Sequence, residues 1–202
     1  MRRFVIVGHK ARTTPDFKLD DLAGGAGRLD VLLRCVNSAF FLSHSIRTDV
    51  EVYLILQGPE DPPRTVRFVG EELRYLNPDE RSTGALVRNA LLKSSDKETR
   101  SSPGVYVSKM SFKEVLSDIS GHSSIIYMKE NGKFYRQLDY PTDVTFVLSD
   151  HKDLTPEEEG ELNLRTKEVI SIGPLSYHAD HCITVMNHEL DLRAVGFRPQ
   201  GF

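Results

Sequence analysis

The sequence has few features of secreted or membrane proteins. Its two cysteines, Cys35 and Cys182, are too few for a disulfide framework, which favours a reducing compartment. No run approaches the roughly 18 apolar residues that a membrane helix needs. The four apolar residues 4–7 that follow the basic N-terminus are too few for a signal peptide core. We therefore expect a soluble, cytoplasmic protein with no membrane contact.

The sequence also lacks an excess of positive charge. Lys and Arg total 26 against 29 Asp and Glu, a formal net charge of −3, whereas domains that bind nucleic acid by bulk charge are usually basic. Residues 1–100 carry 16 basic and 14 acidic residues, and residues 101–202 carry 10 and 15. Any RNA-binding surface is therefore expected in the first half of the chain.

Several signatures of catalysis and metal binding are missing. Neither a Gly-x-Gly-x-x-Gly turn after the first strand nor a P-loop motif occurs, so nothing indicates a dinucleotide or P-loop fold. His178, His181, Cys182 and His188 have ligand types that suit zinc. The adjacent His181 and Cys182 point in different directions, and no second cluster has the usual pairwise spacing, so we predict no metal. No nucleophile elbow is present, which argues against a hydrolase.

Strand and helix patterns alternate along the chain. Its length of 202 residues, of which 39% are hydrophobic, fits a single α/β domain that can bury its own core. Apolar runs at 4–7, 50–56, 65–69, 105–107, 125–128, 144–148 and 169–172 predict strands, and the apolar spacing from Leu29 to Phe40 predicts a helix. This alternation predicts a mainly parallel sheet flanked by helices on both faces.

Local signals mark the ends of several elements. Ser111 with Glu114, and Thr155 with Pro156 and Glu158, predict helix starts with capping boxes. Pro78 disfavours helix at Asn77, so another helix is predicted to begin near residues 79–82. The turn Asn131-Gly132 predicts a hairpin between the apolar runs 125–128 and 134–135. The polar segment 93–103 is predicted to be a mobile linker.

The pattern of residues 144–191 predicts a strand, helix, strand, glycine turn and helix. Open α/β sheets bind small ligands at the carboxyl ends of such strands, where the chain has Leu148-Ser149 and Gly173-Pro174-Leu175. On one interpretation Gly173 only permits a turn. On the other, backbone groups of both turns face a ligand whose ring packs against the leucines.

Three stretches of this segment resemble the archaeal tRNA pseudouridine-54 N1-methyltransferases of the SPOUT superfamily: Phe-Val-Leu-Ser-Asp-His, Ile-Gly-Pro-Leu and Ala-Asp-His-Cys-Ile-Thr-Val-Met-Asn-His-Glu-Leu-Asp. Near the other end, Gly27-Arg28-Leu29-Asp30 and Asn77-Pro78-Asp79-Glu80-Arg81 are similar to motifs of the same family. The resemblance covers almost the whole chain. It implies an RNA methyltransferase with a C-terminal trefoil knot over about residues 144–191, and a homodimer whose subunits place N-terminal elements beside the partner's cofactor.

The resemblance also implies a cofactor and a substrate. S-adenosylmethionine is expected in the knot, and a tRNA T-loop containing pseudouridine is expected to be the RNA partner. The cofactor residues implied are Leu148, Ser149, Ile172, Gly173, Leu175, Ser176, Asp180, His181 and Cys182. Cys182 is expected to pack on the cofactor rather than to act as a nucleophile.

The predicted substrate residues are Arg28, Asn77 and Arg81, and the predicted catalytic residues are Asp30, Asp79 and Arg81. Methylation of N1 removes a proton from an imide-like nitrogen, so a carboxylate could accept that proton or orient the base. An arginine could hold a phosphate of the extruded nucleotide. The simpler interpretations are that Asp30 meets the helix dipole and that Asp79 caps a helix.

Two other functions fit the same sequence. A related methyltransferase acts on pseudouridine in ribosomal RNA. Proteins of that kind usually have a more basic surface and insertions, which this acidic chain lacks. A non-catalytic RNA-binding protein that kept the fold would bind RNA without turnover.

Overall fold

A single eight-stranded sheet organises the chain in the computed structural model, which describes residues 1–166 and 168–197. The strands are β1 (Arg2–Gly8), β2 (Val50–Leu56), β3 (Arg64–Val69), β4 (Thr99–Ser102), β5 (Val105–Ser108), β6 (Ser124–Phe134), β7 (Val144–Ser149) and β8 (Val169–Ser171). The helices are α1 (Leu29–Phe40), α2 (Glu80–Leu92), α3 (Phe112–Ser120), α4 (Pro156–Asn163) and α5 (Ala179–Ala194), with a 3₁₀ turn at Tyr135–Gln137. The strand order is β4-β5-β3-β2-β1-β7-β6-β8.

The prediction of a mainly parallel sheet is confirmed. Strands β2, β1, β7, β6 and β8 are parallel, and β3, β5 and β4 extend the sheet through antiparallel pairs. In β1, Phe4 and Ile6 belong to a core with helices α1, α2 and α5. Val5 and Val7 belong to a second core with α3 and α4. Because strand side chains alternate between faces, both faces of the sheet are buried.

The predicted helix starts are also confirmed. Ser111 caps α3 and Thr155 caps α4, and in each helix the glutamate three residues later bonds back to the cap. Asp79 is the N-cap of α2, where its Oδ1 accepts the Ser82 amide at 2.7 Å. These bonds satisfy amide groups that a helix start leaves without intrahelical partners.

The hairpin predicted at Asn131-Gly132 is wrong. Strand β6 continues to Phe134 and pairs in parallel with β8, and the four residues between Met128 and Lys133 bulge out of the ladder. A β-carbon on Gly132 would lie 2.4 Å from the carbonyl carbon of Ile170. The glycine therefore permits a close approach to β8, which the local turn signal does not reveal.

The linker predicted over residues 93–103 is wrong in its second half. Residues Thr99–Ser102 form the edge strand β4, which pairs antiparallel with β5. The polar composition of the segment predicts a linker. An edge strand with few buried side chains can, however, consist mainly of polar residues.

Helix α5 returns from the outer strand β8 across the sheet to pack on α1. Asp191 accepts hydrogen bonds from Arg2 at 2.7 Å and from Arg47 at 2.8 and 2.6 Å. The buried Asn187 donates to the Ala39 carbonyl at 3.2 Å. These bonds hold α5 against the carboxyl end of α1 and the segment that follows it.

Candidate functional site

A cleft of about 410 Å³ opens at the carboxyl ends of β7 and β8, within the range of roughly 300–1,000 Å³ typical of small-ligand sites. The turn after β7, the turn after β8, the strand β6 and the start of α1 supply its walls. Its lining residues are Arg28, Val31, Tyr127, Met128, Lys129, Glu130, Leu148, Ser149, Asp150, His151, Lys152, Asp153, Ile170, Ser171, Ile172, Leu175, Ser176, Tyr177, His178, Ala179 and Cys182.

The turn after β8 is held by its own polar groups. The Ser171 hydroxyl donates to the Gly173 carbonyl at 2.6 Å and accepts from the Gly173 amide at 3.2 Å. A β-carbon on Gly173 would lie 3.2 Å from Cε2 of Tyr177, which is closer than ordinary van der Waals contact. A side chain at position 173 would therefore press on the Tyr177 ring, which would have to shift by a few tenths of an ångström to admit a β-carbon.

Two large apolar side chains at the mouth of the cleft are exposed to solvent. Leu175 is 66% exposed and Tyr177 is 45% exposed, whereas Leu148 is buried at the base. Exposed large apolar groups lose water when a ligand covers them, and that loss favours binding. The arrangement suits a flat, partly apolar ligand.

Glu130, in β6, adds a carboxylate to the lining of the cleft. Glu130 accepts a hydrogen bond from the Ser176 hydroxyl at 2.5 Å, and this bond holds the pKa of the carboxyl below its ordinary value. The neighbouring Lys129 is paired with Glu159 at 2.5 Å. An ionised carboxylate in the cleft can bind an ammonium group of a ligand. Sequence reasoning missed Glu130, because the Asn-Gly pair beside it was interpreted as a hairpin.

Sequence reasoning also missed a cluster of three charged side chains beside the cleft. His9, at the end of β1, contacts Asp150 through Nδ1 and Glu158 through Nε2, each at 3.0 Å. Glu158 also accepts from Gln57 at 2.8 Å. Hydrogen bonds with Asp150 and then Glu158 outweigh burial and raise the pKa of His9 to about 9. The three residues lie far apart in sequence, so no local pattern could identify them.

Arg28 and Asp30 form a charged cluster at the start of α1. Arg28, in the left-handed region at φ 63°, bonds Asp30 through Nε at 3.0 Å and Nη2 at 3.2 Å. Arg34 bonds the same carboxylate at 3.0 Å and reaches Glu80 at 3.3 Å. Burial raises the pKa of Asp30, but the two arginines outweigh it and hold the pKa below its ordinary value. Arg28 lines the cleft, whereas Asp30 lies behind it.

The other predicted substrate and catalytic residues lie outside this cleft. Asn77, Asp79 and Arg81 are exposed around the start of α2. Both carboxylate oxygens of Asp79 accept from Ser82, through the amide at 2.7 Å and the hydroxyl at 2.6 Å. The cluster Arg28–Asp30–Arg34–Glu80 connects this exposed region to the cleft.

Six of the nine predicted cofactor residues line the cleft, namely Leu148, Ser149, Ile172, Leu175, Ser176 and Cys182. Gly173 shapes the turn, and Asp180 and His181 lie in the first turn of α5 without lining the cleft. Asp180 is 8% exposed and its Oδ1 has no hydrogen-bond partner among the described residues. Burial raises the pKa of Cys182 to about 11, so its thiol stays protonated at neutral pH.

No metal centre is found in the part of the chain that the structure describes. There, no group of three or more His, Cys, Asp or Glu side chains is arranged to hold an ion. None of the described helices is long and apolar enough to cross a membrane.

The fold and the cleft indicate an enzyme of the class that binds a small cofactor at strand ends. A family model described as putative SAM-dependent RNA methyltransferase matches residues 1–195. The chain therefore belongs to that family, and the family resemblance found in the sequence is confirmed.

Curated relatives span nearly the same length. The tRNA (pseudouridine(54)-N(1))-methyltransferase of Methanocella arvoryzae is 50% identical over 195 residues, which are 96% of this chain and 100% of the relative. The enzyme of the same name from Haloferax volcanii is 52% identical over 195 residues, 95% of this chain and 96% of the relative. The crystal structure of Archaeoglobus fulgidus Nep1 bound to S-adenosylhomocysteine matches with a TM-score of 0.66 at 16% identity, covering 95% of this chain and 98% of that one. This last similarity concerns the fold alone.

Proposed function

We propose that this protein transfers a methyl group from S-adenosylmethionine to N1 of pseudouridine 54 in tRNA. The observation that carries the proposal is sequence similarity. The chain is 50% and 52% identical to two tRNA (pseudouridine(54)-N(1))-methyltransferases over nearly its full length and theirs. We propose the cleft at the strand ends as the cofactor site.

Three features of the cleft fit S-adenosylmethionine. Its volume of about 410 Å³ lies in the usual range for such ligands. The apolar side chains Leu148, Ile172 and Leu175 offer surfaces for an adenine ring. The carboxylate of Glu130 suits the ammonium of the amino-acid part.

The residues of this chain serve mainly to bind and orient. S-adenosylmethionine, when bound, would supply an electrophilic methyl on a sulfonium; methylation of N1 would leave S-adenosylhomocysteine and release the N1 proton to water. Arg28 lines the cleft and is held by Asp30, so it can bind a phosphate or the target base. The lowered pKa of Asp30 makes it a weak proton acceptor, so its proposed role is to position Arg28. Correct positioning by itself can supply much of the rate.

The proposal extends to a homodimer. Asn77, Asp79 and Arg81 are exposed outside their own cleft, and a second subunit would bring them beside the partner's cleft. We propose that Arg81 and Asn77 bind RNA there and that Asp79 contacts the target nucleotide. The exposed side chains Leu175 and Tyr177 at the mouth are available for contact with the partner or the RNA.

We also propose that residues 144–191 form the trefoil knot of SPOUT proteins within a single domain, and that the protein acts in the cytoplasm. The return of α5 from the outer strand β8 across the sheet to α1 supports a threaded path. Knots are rare in proteins, so the proposal of a knot uses the family resemblance as well as the topology.

The function is tested with two tRNA transcripts that differ only at position 54. We expect a mass gain of one methylene unit, found by mass spectrometry of nucleosides, on the transcript with pseudouridine at 54 and none on the transcript with uridine. Methylation of a ribosomal RNA fragment instead would favour the related activity. Binding of S-adenosylmethionine and tRNA without any mass gain would contradict the enzymatic proposal.

A further inference from the structure

The loop after β7 supplies one wall of the cleft, and a buried ionic group holds it from below. Residues 150–153 all line the cleft, but the Asp150 side chain is fully buried and points to His9. Asp150 accepts from the His9 amide at 3.0 Å, from the His9 ring at 3.0 Å and from the Lys152 amide at 3.0 Å. The position of this wall therefore depends on His9.

The hydrogen bonds fix the protonation state of His9. Its Nδ1 faces Asp150 and its Nε2 faces Glu158, and ionised carboxylates only accept hydrogen bonds. Both ring nitrogens must then carry protons, so His9 is an imidazolium. Burial raises the pKa of Glu158, but hydrogen bonds from His9 and the Thr155 amide outweigh burial and lower the pKa to about 2. The result is a carboxylate–imidazolium–carboxylate bridge.

The bridge joins three elements that contact the cleft wall. His9 follows β1, Asp150 follows β7, and Glu158 lies in the first turn of α4, where it also completes the capping box with Thr155. Gln57, at the end of β2, donates to Glu158, and His151 contacts Asp150 at 3.3 Å. No other charged side chain contacts His9 in the part of the chain that is described.

We propose that His9 is a positioning residue that, as an imidazolium, holds the loop 150–153 in the shape that binds the cofactor. This inference rests on the proposed function, because the cofactor is taken to be S-adenosylmethionine. Loss of one ring proton from His9 would leave one of the two carboxylates, Asp150 or Glu158, facing an acceptor nitrogen. The two carboxylates would then repel each other with no cation between them, and the wall would move.

The test measures the dissociation constant of S-adenosylmethionine by calorimetry from pH 6 to pH 10. We expect His9→Gln to bind about tenfold more weakly than wild type at pH 7, because it loses the charged bridge. Wild-type affinity should fall as the pH rises through about 9. His9→Gln should lack that fall, apart from titration of the ligand amine, which both proteins share.

A second variant distinguishes charge from packing. Glu158→Gln keeps a side chain that can complete the capping box but removes one of the two carboxylates beside His9. We expect its alkaline midpoint to move down by about one pH unit or more, because one opposite charge no longer favours the imidazolium. His122→Gln is the matched control, since His122 is exposed after α3, ahead of the amino end of β6.

Every outcome bears on the inference. Weaker binding by His9→Gln together with the shifted midpoint in Glu158→Gln supports it. Wild-type affinity in His9→Gln, or an unchanged midpoint in Glu158→Gln, overturns it and leaves the proposed function standing. Failure of the wild type itself to bind S-adenosylmethionine overturns the proposed function and this inference with it.

Discussion

At the residue scale, single side chains combine structural and proposed catalytic roles. The sequence allows Asp30 to be either a charge that meets the helix dipole or a catalytic carboxylate, and the structure shows it bonded to Arg28 and Arg34. Asp79 caps α2, as one interpretation of the sequence held. A cap can still contact a substrate, because its position at an exposed helix start leaves room for one.

Two substitutions separate the roles of Asp79. Asp79→Asn keeps a good N-cap, so the free energy of unfolding should change by less than about 0.5 kcal/mol, whereas Asp79→Ala should lose about 1 kcal/mol. If Asp79 also contacts the target nucleotide, as proposed, Asp79→Asn should lower turnover about tenfold or more without loss of stability. Urea unfolding and single-turnover methylation measure the two effects. Wild-type turnover in Asp79→Asn would leave Asp79 as a cap alone.

At the element scale, the turn after β8 depends on the absence of a side chain. The Ser171 hydroxyl closes the turn, and the Tyr177 ring lies against Gly173. The ring and the turn together form one wall of the cleft. A larger residue at this position must move the ring, the turn or both.

We therefore expect Gly173→Val to weaken S-adenosylmethionine binding about tenfold or more, measured by calorimetry. Gly160→Val is the matched control, because a β-carbon on Gly160, in α4, meets no atom within 4 Å. The control should bind as wild type does, since the same change occurs where space is open. Equal affinity of the two variants would show that the turn does not contact the cofactor.

At the scale of the whole molecule, ion pairs join segments that are far apart in the sequence. Asp191 near the end of α5 bonds Arg2 of β1 and Arg47, which precedes β2. Both arginine side chains are 12% exposed and Asp191 is 40% exposed. Burial raises the pKa of Asp191, but Arg47 and Arg2 outweigh it and hold the pKa below its ordinary value.

We expect Asp191→Asn to lower the free energy of unfolding by about 1–2 kcal/mol at pH 7, a figure reduced for the exposure of the carboxylate. Because the folded-state pKa is lowered, the stabilisation is fully present above the ordinary value of 3.8 and is lost as the pH falls below it. The difference from wild type should therefore shrink in acid. Asp118→Asn, exposed in α3, is the control for urea titrations. A difference that stays constant down to pH 3 would contradict the assignment.

Local sequence determined much of the fold. The run 50–56 was predicted as a strand and is β2 (Val50–Leu56), and the capping boxes at Ser111 and Thr155 start α3 and α4. These features depend on residues within a few positions of each other, so their pattern is visible in the sequence. The family resemblance likewise rests on short contiguous motifs.

Tertiary structure alone decided the rest, because the partners lie far apart in the chain. The path of β6 through Gly132 depends on Ile170 of β8, and the pairing of Arg47 with Asp191 spans 144 positions. His9 becomes an imidazolium only because Asp150 and Glu158, 141 and 149 positions away, face its two nitrogens. The residues next to His9 in the sequence do not determine whether its side chain is charged. Folding supplies the low-dielectric surroundings and the opposite charges that set its pKa.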